Sequence, residues 1–403
     1  MRKALWLFLG LIFVLPAWPA GAGEGPIRIG EVNSYTGVAS GFTLPYREAV
    51  EMAVEELNAA GGLLGRKVEV LFRDDKGSPA EAIRHAQELV AAERVSLLAG
   101  TFLSNVGLAV SDFARQNRVL FVAAEPLTES LTWAQGHRYV FRVRPNTYEQ
   151  GRLLAERAAP LPYRKWAVVG PNYEYGRRAW ETFWDRLSVL KPGVSVVGEH
   201  WPALGKIEPG GYISALLAQQ PEAVYTSLFG SDWIAFAREG NRRGLFQRAA
   251  FVGILLGEPE YMDPLGLEAP EGMLVTGYPW YGIQSPAHQE FVARFSRRTS
   301  HHPVMGSLVG YITFLSIFDA IRQAGSLETD KLISALETET VSTPIGPIRF
   351  RPFDHQSTMG VWVGWTKRDP QRGVGVMADW EYVPGERLLP GEAEVQKMRQ
   401  SGR

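Results

Sequence analysis

The seven histidines are the residues best suited to metal binding or acid–base chemistry, and their spacing favours neither. None lies in an H-E-x-x-H pattern, which would place two ligands on one face of a helix. The chain has no cysteine, so thiolate metal sites, disulfides and cysteine nucleophiles are excluded. No G-x-S-x-G elbow, Walker loop or G-x-G-x-x-G turn occurs. We therefore predict no catalytic site, no bound metal and no cofactor.

Ser104 is a candidate for holding a carboxylate. It follows an apolar run at residues 95–99, predicted as a buried strand, and it opens the next predicted helix. A hydroxyl beside free backbone N–H groups at a helix N-terminus suits an anion, although a plain helix cap is the alternative. Asn146 begins a later predicted helix, where its side chain either contacts a ligand or caps the helix.

Aromatic side chains are concentrated where predicted strands lead into loops. Such side chains suit an apolar or aromatic solute, and tyrosine hydroxyls can meet its polar ends. Most aromatic residues belong to the core, so we expect two or three of these to contact a ligand, with Tyr175 foremost. The group consists of Phe42, Tyr46, Tyr175, Phe229, Tyr278, Trp280 and Tyr281.

The composition indicates an ordinary globular protein of two domains. The chain has 403 residues, too many for one hydrophobic core of usual size. Its formal net charge is −1, and no basic stripe with interleaved aromatic residues occurs. Nucleic acid and anionic membrane surfaces are therefore unexpected as partners.

The first 22 residues have the pattern of a secretory signal peptide. Arg2 and Lys3 precede a short apolar run at residues 4–17, and Ala20-Gly21-Ala22 forms a small-residue cleavage site. The run is shorter than the roughly 20 residues that cross a membrane, and Pro16 interrupts it. We expect a soluble mature protein that begins near Gly23.

Strand and helix patterns alternate along most of the remaining chain. One series of apolar strands and amphipathic helices runs through residues 27–122, and a second runs through residues 166–253. Alternation of this kind favours right-handed βαβ units and parallel sheets. The fold predicted is α/β, with two Rossmann-like lobes. Further helices and strands at residues 308–364 are expected to return and complete both lobes.

Five segments resemble the type I periplasmic binding proteins, and the leucine/isoleucine/valine-binding group and its amide- and urea-binding relatives in particular. They occur in the family's order over residues 27–366. The segments are 27–37 (IRIGEVNSYTG), 58–65 (NAAGGLLG), 100–105 (GTFLSN), 141–151 (FRVRPNTYEQG) and 172–176 (NYEYG).

The resemblance implies two lobes that are joined by a three-strand hinge and close on a ligand between them. It implies a monomeric substrate-binding protein of an ABC importer, which delivers its solute to a permease complex in the inner membrane. Presentation of the solute to a receptor is the alternative. With no lipobox cysteine, we expect no lipid anchor and a periplasmic location. The predicted divisions are a signal peptide at 1–22, lobe 1 at 23–145 and 277–345, lobe 2 at 146–276 and 346–385, and a C-terminal tail at 386–403.

The resemblance also assigns site residues, with two departures. Ser104 matches a serine that holds the carboxylate of an amino acid, but Glu125 and Leu127 stand where the family has a small residue and a threonine. Leu255 stands where the family has an acid for the ligand ammonium. Either Glu125, Glu258 or Asp232 replaces that acid, or the ligand has no ammonium. The ligand is therefore expected to be a branched-chain amino acid or a small amide or carboxylate, and the predicted ligand-binding residues are Ser104, Glu125, Leu127, Tyr175, Asn146, Phe42, Phe229, Leu255 and Tyr278.

Overall fold

The computed structural model describes residues 25–401, and the predicted signal peptide lies outside this range. The first part of the chain folds into alternating strands and helices. In order they are β1 (Ile27–Asn33), α1 (Ser40–Ala59), β2 (Val68–Asp74), α2 (Pro79–Ala91), β3 (Leu98–Gly100), α3 (Ser104–Asn117), β4 (Phe121–Ala123) and β5 (Val140–Arg142).

The second part continues the alternation with shorter connections. Its elements are α4 (Thr147–Ala158), β6 (Lys165–Val169), α5 (Glu174–Leu190), β7 (Ser195–His200), α6 (Pro209–Gln219), β8 (Ala223–Thr226), α7 (Gly230–Arg242), β9 (Ala250–Gly257), α8 (Pro259–Leu265) and β10 (Leu274–Gly277).

The last part contains mostly helices before it ends in a long hairpin and two short helices. Its elements are α9 (Pro286–Thr299), α10 (Met305–Ala324), α11 (Thr329–Thr338), β11 (Thr340–Thr343), β12 (Gly346–Arg349), β13 (Val361–Asp369), β14 (Val374–Val383), α12 (Gly385–Leu388) and α13 (Glu392–Ser401).

The strands form two separate large sheets. The first is fully parallel, in the order β2-β1-β3-β4-β5. The second has the order β14-β13-β10-β9-β8-β6-β7, in which β13 and β14 run antiparallel to their neighbours. We call the first sheet and the helices packed on it lobe 1, and the second sheet with its helices lobe 2. The predicted α/β class with two lobes is confirmed.

Local sequence explains where individual elements begin and which face they bury. In α2, the Ser78 hydroxyl caps the helix by accepting from the N–H of Glu81, and Pro79 occupies the first helical position. Ala82, Ala86 and Leu89 are buried at helical spacing. By contrast β9 (AFVGILLG) is apolar throughout, because a central parallel strand is covered on both faces.

Helix α10 is apolar on nearly all sides because it is a core helix of lobe 1. Among the described residues it alone is long and apolar enough to cross a membrane, but 83% of that window is buried within the protein. It packs against α1 and α11. At Gly310 a Cβ would lie 2.6 Å from the Tyr46 carbonyl oxygen, so glycine permits this close approach of the two helices.

The chain crosses between the lobes three times: after β5, after β10, and between β12 and β13. At the hinge, the Arg142 N–H donates to the His355 carbonyl (3.0 Å) and the Ser357 N–H donates to the Arg142 carbonyl (2.9 Å). The rings of Phe141 and His355 stack at 3.8 Å. The polar segment at residues 354–358 therefore pairs with the first crossing and belongs to the hinge. The predicted lobe boundary at residues 345 and 346 divides the β11–β12 hairpin.

The C-terminal segment is helical and lies on the surface. The sequence of residues 384–403 leaves poor order and attachment to the surface both open, and the second alternative matches the structure, whereas β14 was not predicted. Helix α13 packs on the hinge side of both lobes, with Val395 fully buried against Trp133 and Tyr148. Arg399 donates to the carbonyls of Thr132 and Trp133. The few apolar residues of α13 form no amphipathic pattern that would predict this contact.

Candidate ligand-binding cleft

A small closed cavity lies between the two lobes, at the carboxyl ends of the strands. It has about 240 Å³ of space between its side chains, of which only about 10 Å³ admits a water-sized sphere. That room suffices for about one water molecule, so the cleft is closed. Phe102, Ser104, Glu125 and Leu127 line it from lobe 1, Arg144 from the hinge, and Tyr173, Tyr175, Phe229 and Leu255 from lobe 2.

Aromatic rings from both lobes meet across the cleft. The ring centroids of Phe102 in lobe 1 and Phe229 in lobe 2 are 5.8 Å apart, and Tyr175 meets Phe229 edge to face at 5.7 Å. A second contact joins Phe42 on α1 to Tyr261 on α8 at 5.4 Å. Such pairs stabilise a contact by about 0.5–1.5 kcal/mol beyond the area they bury. The walls of the cavity are therefore suited to a flat or apolar body.

Ser104 is the first residue of α3 and does not cap it. The residue in the capping position is Leu103, whose side chain makes no capping hydrogen bond. The first-turn N–H groups of α3 therefore lack a capping side chain, at the positive end of the helix dipole. The Ser104 hydroxyl oxygen accepts from the Thr128 N–H at 3.2 Å. This arrangement can hold an anionic or amide oxygen.

Leu255 enters the cavity on a bulge of β9. Gly253 pairs with Val275 and Gly257 with Gly277, so residues 254–256 lie opposite a single residue of β10. Leu255 has φ +71°, a left-handed conformation that is costly for leucine. Its N–H donates to the Thr276 hydroxyl at 2.8 Å, which holds the bulge in place. The bulge brings an apolar side chain to the position where an acid was expected in an amino-acid binder.

A buried ion triad, Glu125–Arg144–Glu258, closes the polar side of the cleft. The Arg144 guanidinium donates to a carboxylate oxygen of Glu125 in lobe 1 and to one of Glu258 in lobe 2. The three side chains are at most 2% exposed. Burial raises the pKa of Glu258 well above its usual range, although the Arg144 charge opposes this shift. Burial also raises the pKa of nearby Glu260 to about 7.

Six of the nine predicted ligand-binding residues line this cavity, and a seventh lies next to it. The six are Ser104, Glu125, Leu127, Tyr175, Phe229 and Leu255. Phe42, expected in the loop after the first strand, is instead inside α1 and contacts the ring of Phe102 at 5.1 Å. It lies in the helix because a short 3-10 turn at Gly37–Ala39 leads directly into α1.

Two predicted residues lie outside the cavity. Asn146 caps α4, accepting from the N–H of Glu149 while the Glu149 carboxylate accepts from the N–H of Asn146. Tyr278 lines a separate, larger cavity of about 440 Å³, and its hydroxyl is 2.6 Å from Nε2 of His288. Asp232, a suggested replacement for the ammonium partner, instead accepts from the backbone N–H groups of Gly205 and Ile207.

Arg144 was missed, together with Phe102 and Tyr173. The signal for Arg144 was a cation in the FRVRPN segment, just after a strand at a lobe crossing. Its partners could not be predicted from local sequence because they are 19 and 114 residues away. Tyr173 precedes the expected tyrosine by two residues, and Phe102 precedes Ser104 by two. Within the described residues no group of three histidine, aspartate or glutamate side chains is placed to hold a metal ion.

A family model for periplasmic binding proteins matches residues 26–369. The chain belongs to this family. Leu/Ile/Val-binding protein homolog 4 of Brucella melitensis biotype 1 is 25% identical over 362 residues, which cover 85% of this chain and 84% of the relative. The family and fold are those of non-enzymatic substrate-binding proteins of ABC transporters, as predicted, and membership implies a periplasmic location.

Solved structures share the fold at lower identity. A solute-binding protein of an ABC transporter from Rhodopseudomonas palustris BisB5, in complex with 3,4-dihydroxybenzoic acid, has a TM-score of 0.80 at 20% identity, over 90% of this chain and 98% of its own. The closed leucine-, isoleucine-, valine-, threonine- and alanine-binding protein from Brucella ovis has a TM-score of 0.76 at 22% identity, over 91% and 97%. This periplasmic binding protein therefore shares its architecture with proteins that bind different solutes.

Proposed function

We propose that this protein captures a small carboxylate or amide with an apolar or aromatic body, and delivers it to an ABC permease in the inner membrane. The observation that carries the proposal is the closed cavity between the lobes. It combines aromatic walls from both lobes with a hydroxyl at the uncapped N-terminus of α3. The neighbouring structures support a solute of this kind, because proteins of the same fold include one in complex with a dihydroxybenzoic acid and one named for binding leucine, isoleucine, valine, threonine and alanine.

The polar groups of the cleft favour a ligand without an α-ammonium group. Leu255 occupies the place of the expected acid, and the bulge of β9 fixes it there. Glu125 and Glu258 are the carboxylates nearest the cavity, and each already pairs with Arg144. An ammonium group would have to compete with a guanidinium for both partners, and a buried cation without a partner costs several kcal/mol.

A branched-chain amino acid is the second candidate, and one observation favours it. Glu125 Oε1 and Glu258 Oε2 are buried without a hydrogen-bond partner among the described residues. These two oxygens would accept from an ammonium group if Glu258 ionised.

Calorimetry on the purified mature protein distinguishes the two candidates. A thermal-shift screen comes first, because any ligand that binds only the folded state raises the free energy of unfolding by RT ln(1 + [L]/Kd). Calorimetry then compares leucine, its deaminated analogue 4-methylpentanoate, benzoate and benzamide. We expect the acids or the amide to bind more tightly than leucine. Micromolar binding of leucine with no binding of the acids would show that the proposed ligand class is wrong.

A further inference from the structure

The Glu125–Arg144–Glu258 triad leaves one acceptor atom unused at the cavity. Arg144 takes one oxygen from each carboxylate. The other oxygen of Glu125, Oε1, is buried and has no hydrogen-bond partner among residues 25–401, and Glu125 lines the cavity. Glu258 Oε2 is not counted as an acceptor, because burial raises the pKa of Glu258 and favours its protonated form. Buried polar atoms in native structures nearly always have a partner, so an unpartnered oxygen at a binding cavity indicates what the bound molecule supplies.

Three tyrosine hydroxyls around the triad are also buried without partners among the described residues: Tyr46, Tyr175 and Tyr261. Burial is the largest cause that raises the pKa of each hydroxyl. These groups therefore remain O–H donors at neutral pH. Of the three, Tyr175 lines the cavity, so the cavity offers a donor as well as the acceptor of Glu125.

A carboxylate group of the ligand can satisfy only part of this set. It has acceptor oxygens and no proton at neutral pH, so it can accept from tyrosine hydroxyls and from Ser104. It cannot donate to the free oxygen of Glu125, and closing the lobes over that oxygen without a donor leaves it desolvated. A solute that also carries a donor removes this penalty.

We infer that the solute carries a neutral hydrogen-bond donor, such as a hydroxyl group on its apolar body, and that Glu125 Oε1 accepts from it. This inference rests on the proposed function and specifies the substrate class of the same cavity. The donor is neutral because the Arg144 guanidinium already occupies the cationic position between the two carboxylates. A second cation there would lie against a like charge in a buried site.

Paired solutes, one with a hydroxyl group and one with a methoxy group that cannot donate, test this inference in calorimetry on the mature protein. The pairs are the 2-, 3- and 4-hydroxybenzoates against the matching methoxybenzoates, with benzoate as the reference. The best hydroxybenzoate is expected to bind at least about tenfold more tightly than its methoxy analogue and than benzoate, because both analogues lack the donor. Equal binding of all three would overturn the inference and leave the proposed function standing. Binding of leucine alone would overturn the proposed function itself.

Glu125→Gln supplies the second test. Arg144 requires an oxygen on the atom that it contacts, so the amide NH2 would face the cavity and replace an acceptor by a donor. The preference for hydroxybenzoate over methoxybenzoate is expected to fall to less than about threefold. The paired-solute comparison on the native protein tests the inference by itself if this variant does not fold. Glu239→Gln is the matched control, since Glu239 is a buried carboxylate of α7 that pairs with Arg242 and Arg243. An unchanged preference in Glu125→Gln would overturn the inference.

Discussion

At the residue scale, the Ser104 hydroxyl uses its oxygen as a hydrogen-bond acceptor, but its proton has no acceptor among the described residues. Its oxygen accepts from the Thr128 N–H, which fixes the orientation of the hydroxyl. No acceptor for the Ser104 proton lies among the described contacts of this side chain, although the residue is only 1% exposed. A ligand oxygen placed at the N-terminus of α3 would supply that acceptor.

Ser104→Ala is expected to weaken ligand binding about tenfold to a hundredfold. Loss of a hydrogen bond to a charged group costs roughly 1.5–3 kcal/mol, which corresponds to this range of Kd. Calorimetry with the best solute of the screen measures the change. Ser111→Ala is the control on the same helix, because Ser111 is buried beside His137 and away from the cavity. Equal effects of the two substitutions would contradict the assignment.

Glu31 is a buried acid of lobe 1 that lies outside the binding cavity. It is fully buried in β1, where the side chains of Tyr35 and Asn33 donate to its two oxygens. Burial raises its pKa from 4.5 to about 8, and these hydrogen bonds only partly oppose the shift. The folded protein therefore holds a proton here that the unfolded chain releases above about pH 4.5.

Glu31→Gln is expected to stabilise the protein at pH 8. Because the folded-state pKa is raised, the contribution of Glu31 to stability is fully present below about pH 4.5 and is lost as the pH rises to about 8. Glutamine has no such pH dependence, so the gain in the free energy of unfolding should reach roughly 2–4 kcal/mol at pH 8. Urea unfolding at pH 5 and pH 8 measures it. Glu290→Gln on exposed α9 is the control, and a gain that does not depend on pH would refute the explanation.

At the element scale, helix α8 of lobe 2 makes polar and aromatic contacts with lobe 1. Glu260 accepts from the Gly306 N–H at the start of α10 (2.8 Å), and Asp263 pairs with His302 at 2.7 Å. Tyr261 meets the ring of Phe42. Val304, at the capping position of α10, has no side-chain acceptor, so Glu260 acts as the cap from the opposite lobe.

Glu260→Ala is expected to weaken ligand binding about fivefold to thirtyfold without changing any residue that lines the cavity. Removal of a helix cap typically costs about 1 kcal/mol and at most about 2 kcal/mol, which corresponds to this range of Kd, and here the cost falls on the closed state alone. Calorimetry gives the affinity. Glu260→Gln keeps an acceptor for the Gly306 N–H and should bind within about threefold of the native protein. If alanine and glutamine have the same effect, the contact between α8 and α10 does not stabilise closure.

At the scale of the whole molecule, the three crossings and α13 join two lobes whose side chains also contact each other across the cleft. The ring contacts, the contacts of α8 and the ion pair of Glu129 with Arg178 join opposite lobes, so they break if the lobes separate. Because the cavity admits about one water molecule, a solute can enter only after these contacts separate. The hinge contacts between Arg142 and residues 355–357 can persist during this motion, since they lie on the crossing strands.

Ligand binding is expected to reduce the radius of gyration through rigid-body closure. Small-angle scattering of the mature protein with and without a saturating solute measures the change, and secondary structure by circular dichroism should stay constant. The Glu260→Ala variant should show a larger radius without ligand than the native protein. The same radius in all samples would contradict closure by lobe rotation.

Local patterns in the sequence determined the α/β alternation, the division into two series and the position of Ser104. These features depend on spacing within a few residues, at 3.6 or 2 residues per repeat, and on one strand–helix junction. The aromatic residues near strand ends also followed from sequence, and Tyr175 and Phe229 line the cavity. Short strands such as β5, with three residues, were missed because they carry too little periodic pattern.

Only the tertiary structure decided how the polar groups of the cleft pair. Arg144 joins Glu125 and Glu258 because three strand ends meet at one point, and no local pattern records a contact over 114 residues. The same holds for Leu255, whose direction is set by a bulge and by Thr276 on the neighbouring strand. It holds for Val395, which is buried because Trp133 and Tyr148 lie under it. In each case the environment of a side chain depends on which distant segments fold against it.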